Sequence, residues 1–187
     1  MQRLLPGRCL FNCNYNMMKK IVFCFLFLLP LAAWAQDTTK APCKLIKETD
    51  PFTKQTKLST GFVFVDGASI TVDADSKEVV VLISLDGPLK CLDDNSTAEV
   101  YFEGIKSKTL SRNQGTMNCE GLFQFVFRNS AGQPTTLLNR MCTKKITHFI
   151  FTGDAQKPVT VNVGPKEQEA IMNLTACLVA EAKGLIK

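Results

Sequence analysis

Short alternating runs of apolar and polar residues, broken by turn residues, fill positions 43–128, and from position 135 onward the spacing lengthens to that of helices. Residues 43–49 and 55–60 read as two strands joined through an Asp50-Pro51 turn. Residues 61–65 and 68–72 flank Asp66-Gly67, the pair that favours a type I′ hairpin. Phe62 and Phe64 then share one face, with Ile70 and Val72 opposite them. Residues 78–85 hold the run Val-Val-Val-Leu-Ile, apolar at successive positions, which predicts a strand covered on both faces. In 98–103, Val100 and Phe102 point inward, while Glu99, Tyr101 and Glu103 point outward. In 121–128, Phe123, Phe125 and Phe127 recur on one face. Residues 92–97 and 111–118 read as polar loops.

Beyond Gly132 the pattern predicts a helix over 135–142, opened by a threonine cap. Two strands follow, 146–152 and 159–163, around a Gly153-Asp154 turn. A last helix starts at Pro165, which suits a first helical position, and Glu167 and Glu169 suit its positive end. Its predicted apolar stripe is Ala170, Ile171, Leu174, Cys177 and Leu178, and Gly184 is the predicted stop. Strands first and then helix–strand–strand–helix predict a single α+β domain. The expectation is a mostly antiparallel sheet with two helices in the C-terminal third.

The start of the chain follows a different rule. Lys19 and Lys20 precede an apolar run from Ile21 to Leu29, then Pro30, then Ala33-Trp34-Ala35. A basic start, an apolar middle and a small-x-small end make a secretory signal peptide over 17–35, cut between Ala35 and Gln36. A transmembrane helix needs roughly 20 apolar residues, and residues 21–35 number 15 with a proline inside. No cysteine stands at the cut, so lipid attachment is not expected. Residues 1–16 read as an over-called start, with a long basic region as the alternative. The expectation is therefore an exported protein, periplasmic or extracellular, without a stable transmembrane anchor after cleavage, whose single domain spans 36–187.

Removing the leader changes the electrostatic picture. It takes Arg3, Arg8, Lys19 and Lys20 from the 22 basic residues and none of the 17 acids, so a net charge of +5 becomes +1. It also takes Trp34 and Tyr15, which leaves Tyr101 as the one remaining tyrosine. A near-neutral chain poor in stacking side chains gives no support for nucleic-acid binding.

Five cysteines follow the leader: Cys43, Cys91, Cys119, Cys142 and Cys177. In an oxidising compartment wide spacings without C-x-x-C predict disulfides rather than a zinc cage. Cys91 and Cys119, 28 residues apart and each bordering apolar strands, are the first expected pair. Cys43 with Cys177 is the second, tying the ends of the domain together and leaving Cys142 as the odd thiol. The rival pairing joins Cys142 to Cys177 and leaves Cys43 free.

The stretch Cys-Lys-Leu-Ile-Lys-Glu-Thr-Asp-Pro-Phe-Thr-Lys-Gln-Thr-Lys and the tail from Lys144 to Leu178 resemble a group of small exported bacterial proteins of unknown function. Members open on a cysteine-containing strand with an Asp-x-Phe-Thr turn and close on strand–strand–helix with a late cysteine. The resemblance covers both ends of the domain and implies location and architecture only.

Candidate chemistry is sparse. His148 is the only histidine and falls in a strand, on the face of Ile146 and Ile150. A Cys142–His148 dyad is the sharpest enzymatic idea, but a thiolate needs a lowered pKa and an oxyanion site. Asp73, Asp75 and Glu78, or Asp93, Asp94 and Asn95, offer oxygens for a hard cation without a calcium-loop pattern. No nucleotide, hydrolase or metalloprotease motif is present. No catalytic, cofactor-binding or metal residue is therefore assigned. The expected function is an exported, non-enzymatic domain that binds or inhibits another macromolecule, an unknown protein or envelope component. The alternative is an exported hydrolase or thiol enzyme whose site is not local in sequence.

Overall fold

The computed structural model describes residues 43–87, 91–128, 135–153 and 157–185. The leader, with its expected cut between Ala35 and Gln36, lies outside them, as does Asp154 of the predicted turn. In chain order the strands are β1 (Ile46–Thr49), β2 (Thr56–Ser59), β3 (Val63–Val65), β4 (Ala68–Ala74) and β5 (Glu78–Leu85). Next come β6 (Thr97–Phe102), β7 (Thr109–Arg112), β8 (Leu122–Arg128), helix α1 (Thr136–Thr143), β9 (Ile146–Thr152), β10 (Val159–Asn162) and helix α2 (Pro165–Ala182). A short 3-10 turn over Lys183–Leu185 follows α2.

The strands form two antiparallel sheets. The six-stranded sheet runs β1-β2-β4-β5-β8, with β3 also on β4, and the four-stranded sheet runs β10-β9-β6-β7. Two helices at the C-terminal end complete an α+β domain, the class that the pattern predicts.

Period-two alternation sets the core. Val79, Val81, Ile83 and Leu85 of β5 and Phe123, Phe125 and Phe127 of β8 are buried on one side of the larger sheet. Ala98, Val100 and Phe102 of β6 and Phe149 and Phe151 of β9 are buried on one side of the smaller. These faces meet through Phe123 and Phe151, whose rings stand edge to face with centroids 5.2 Å apart. Edge-to-face contact sets the positive ring edge against the negative face of its partner. Helix α2 packs on β2, β3 and β4 of the larger sheet, on β9 of the smaller, and on α1. Thr135 caps α1 by accepting a bond from the Leu138 amide at 3.4 Å.

Six local expectations are corrected. Type I′ needs positive φ at both central turn residues. Gly67 has φ +80°, but Lys54 is the only non-glycine with positive φ among the described residues, so the Asp66-Gly67 turn is not of that type. Its register pairs Val63 with Ile70 and Phe64 with Ser69. Val63 therefore shares the core side with Ile70, and Phe62 and Phe64 face solvent. The run in β5 is fully buried on one face only: Val80 and Leu82, on the other, are partly exposed. Part of the predicted loop 111–118 is instead the end of β7, which pairs with β6.

In β9 the ladder shifts, since Tyr101 pairs with His148 but Phe102 pairs with Ile146. The bulge at Thr147 inverts the parity, so Ile146 is buried while His148 shares the outer face with Ile150 alone. The stripe of α2 is rotated from the predicted one: Ile171, Thr175, Leu178, Val179 and Ala182 are buried, and Ala170, Leu174 and Cys177 are half-exposed. Packing between two sheets and α1 selects this face, and Thr175 occupies a core position that apolarity alone would not choose.

Candidate interaction face

The structure brings the cysteines together in two pairs. Leu92 and Asn118 exchange backbone hydrogen bonds of 2.7 and 2.9 Å. Cys91 and Cys119, one position further along, therefore form a non-hydrogen-bonded antiparallel pair, the closer kind. Their Cα atoms are 3.7 Å apart and their sulfurs are joined. The loops on either side are held by Asn113, which is buried. Its Nδ2 donates to the Asp93 carbonyl at 3.0 Å and its Oδ1 accepts from the Gln124 amide at 2.9 Å. Cys43, just before β1, is joined to Cys177 on the flank of α2, with Cα atoms 5.9 Å apart. Cys142, on α1, is the one free thiol among the described residues. It is half-buried against the core, and that burial pushes its pKa up to about 11, with Lys183 pulling weakly the other way.

His148 lies on the outer face of the smaller sheet. Its ring stacks on Tyr101 at 4.2 Å and 14°, and its Nδ1 lies 3.1 Å from the Thr147 hydroxyl. The Tyr101 hydroxyl donates to Glu99 at 2.8 Å, and the Lys108 ammonium donates to the other oxygen of Glu99. The bond from Lys108 and then that from Tyr101 hold the Glu99 carboxyl below the usual carboxylate range. The same bond to Glu99 raises the Tyr101 phenol, because it favours the protonated form. The row thus links Lys108, Glu99 and Tyr101 by hydrogen bonds and ends on the stacked ring of His148.

The two acidic loops are turns. Asp75 Oδ1 accepts from the amides of Lys77 and Glu78 at 2.7 and 2.9 Å. Asp93 Oδ1 accepts from the Ser96 amide and hydroxyl, each at 2.8 Å. Among the described residues no group of three or more histidine, cysteine or acidic side chains is gathered closely enough to hold a metal ion.

The outer face of the larger sheet differs. Phe62 is 62% exposed, Phe64 74% and Ile46 53%. The ladders place Phe64 in one row with Ser69, Ser84 and Leu122, and Ile46 in another with Ser59, Asp73, Val80 and Val126. The rings of Phe62 and Phe64 lie 6.3 Å apart, at the end of edge strand β3. An open depression of about 340 Å³ beside Val80 and Leu82 is lined by Lys57, Asp73, Asp75, Glu78 and Gln124. It shares Lys57 and Asp75 with a second, of about 610 Å³, that reaches Glu48 and Asp50. Isolated apolar surface residues are ordinary, whereas a contiguous group on a rigid sheet marks a contact surface.

No family model, characterised protein or solved structure matches this chain. The face is missed in sequence because β3 is apolar at every position. The signal was present in the loop length. A two-residue connection pairs position 64 with position 69, and the serine there sends Phe64 outward.

Proposed function

We propose that this protein is an exported, non-enzymatic domain that binds another macromolecule through the outer face of its six-stranded sheet. The observation that carries this reading is the exposure of Phe64 on strand β3 and of Phe62 just before it, on the same side of the sheet as partly exposed Val80 and Leu82. Aromatic side chains in such positions are the usual anchors of protein contacts. Export is supported by the signal-peptide pattern and by two cysteine bridges, which persist in oxidising compartments. Among the described residues no helix is long and apolar enough to cross a membrane.

The thiol-enzyme alternative is disfavoured by the chemistry of its residues. Burial raises the Cys142 pKa, opposite to what a nucleophile needs, and His148 is engaged by Tyr101 and Thr147.

The test compares crosslinking of the wild-type protein in its native cell with that of a Phe62→Ser/Phe64→Ser variant. Both side chains are exposed, so the variant should keep wild-type stability to within about 0.5 kcal/mol per site. The wild type should crosslink saturably to one partner, and the variant should lose at least about tenfold of that yield. A partner recovered equally by both would refute the docking face.

A further inference from the structure

The two outer strands of the larger sheet end it in different ways. β1 is four residues long, exposed throughout, and carries Lys47 and Glu48. Short, charged edges resist pairing. β8 is seven residues long, with Phe123, Phe125 and Phe127 alternating along it. An open edge of that length and apolarity is a template for a further strand. Alternate residues of an antiparallel strand turn their amides and carbonyls to opposite neighbours. In β8, Leu122, Gln124 and Val126 turn theirs away from β5, and the chain itself covers them.

What covers them is not a strand. The Leu122 amide donates to Asn118 Oδ1, and Asn118 Nδ2 donates to the Leu122 carbonyl, both at 2.9 Å. A side-chain amide holds the same donor and acceptor as a peptide group. Asn118 therefore meets Leu122 as a paired residue of a neighbouring strand would. The Gln124 amide donates to Asn113 Oδ1, and its carbonyl accepts from the Gln114 amide, again at 2.9 Å each. The Val126 amide donates to Gln114 Oε1. Segment 113–118 follows the edge closely: a Cβ on Gly115 would lie 3.2 Å from the Gln124 side chain. The segment is pinned at both ends. Asn113 is buried and donates to the Asp93 carbonyl, and the backbone of Asn118 pairs with Leu92 beside the Cys91–Cys119 bridge. Water would serve a part-exposed edge as well, yet three successive outward amides are each met by an asparagine or glutamine side chain.

We infer that segment 113–118 is an autoinhibitory guard, a strand mimic that keeps the edge of β8 from pairing with β8 of a second copy. Antiparallel pairing about a two-fold axis at Gln124 would set Gln124 against Gln124 and Leu122 against Val126, and would continue the phenylalanine face from one copy to the next. The guard lies at the opposite edge of the sheet from Phe64 and acts whether or not the outer face binds a partner.

Amide hydrogen exchange and sedimentation velocity on the purified protein test it. Gln114→Ala/Asn118→Ala removes the side chains that hold Leu122 and Val126. In dilute solution those two amides should exchange at least about tenfold faster in the variant than in the wild type. As concentration rises, the variant should form a dimer that the wild type does not form, and protection of the same amides should return. Adding Val126→Pro deletes an outward amide without removing a bond to β5, and it should abolish that dimer. Circular dichroism checks that each variant is folded. Should the double variant misfold, Gln114→Ala alone changes an exposed side chain and reads Val126 in the same two measurements. Wild-type exchange rates in the dilute variant would overturn the inference. So would bare amides with no association beyond that of the wild type, or a dimer that survives Val126→Pro.

Discussion

The two sheets present the same kind of inner face and very different outer ones. Inside, alternate positions are filled by valine, isoleucine, leucine and phenylalanine at near-complete burial, and the faces join at Phe123 and Phe151. Outside, the smaller sheet closes on itself. Lys108, Glu99 and Tyr101 are linked by hydrogen bonds, and His148 stacks on Tyr101. The larger sheet leaves Ile46, Phe62 and Phe64 exposed beside unlinked Val80 and Leu82. The difference teaches where to look for function. The unusual residues, the lone histidine and the tyrosine beside it, are accounted for by each other. The ordinary ones, Phe62 and Phe64 at the edge of the larger sheet, pair with each other and stay exposed.

That comparison can be broken from the largest effect downward. The bridge between Cys43 and Cys177 closes a loop of 134 residues. In the chain-entropy picture Cys43→Ser should cost about 5 kcal/mol, an upper value before any strain is counted. Chemical denaturation against the wild type reads it. A loss no larger than that of Cys91→Ser would show that loop length does not govern these bridges, because the 28-residue loop is worth about 3–4 kcal/mol on the same reckoning. Phe123→Ala empties the seam shared by both sheets and should cost about 3–5 kcal/mol in one cooperative transition. Two separate transitions would mean that the sheets are independent and that comparing their faces within one core is mistaken.

Thr175 is fully buried on α2, and its hydroxyl has no hydrogen-bond partner. Thr175→Val keeps the shape and removes an unsatisfied polar atom, so stability should rise by about 1 kcal/mol. A loss would reveal a partner for the hydroxyl.

A smaller effect concerns Cys142, whose folded pKa is raised by burial from an ordinary 9.0 to about 11. A raised pKa means that the native state favours the protonated thiol. Its contribution is therefore complete below pH 9 and is lost as pH climbs through 11. The stability difference between wild type and Cys142→Ala should shift against the wild type over that window and be flat at neutral pH. Slow alkylation at neutral pH should accompany it, and fast alkylation there would reopen the thiol-enzyme reading.

The smallest effect is on the closed outer face. Glu99→Gln weakens the hydrogen bond that chiefly raises the Tyr101 phenol and removes the charge that adds to it, so Tyr101 should titrate lower by ultraviolet absorbance with little change in melting temperature. A large loss of stability would mean that this face is not the solvated counterpart of the other.

Much of the fold was legible because it depends on short-range patterns. Alternation marked β6 and β8 by their valine and phenylalanine spacing, Thr135 and Pro165 marked helix starts, and the change of period after Gly132 separated strands from helices. These signals are local because backbone hydrogen bonding repeats every two residues in strands and about every 3.6 in helices. Three matters were decided only by tertiary structure. The bulge at Thr147 turned His148 away from Ile146, because one extra residue in a ladder inverts every later side chain. The face of α2 was chosen by the two sheets and α1, which turned Thr175 inward and left Cys177 on the flank beside Cys43. The exposure of Phe62, Phe64, Val80 and Leu82 depends on which layers lie over them. A sequence records that a residue is apolar, but the number of faces of its sheet that are covered is a property of the assembled layers.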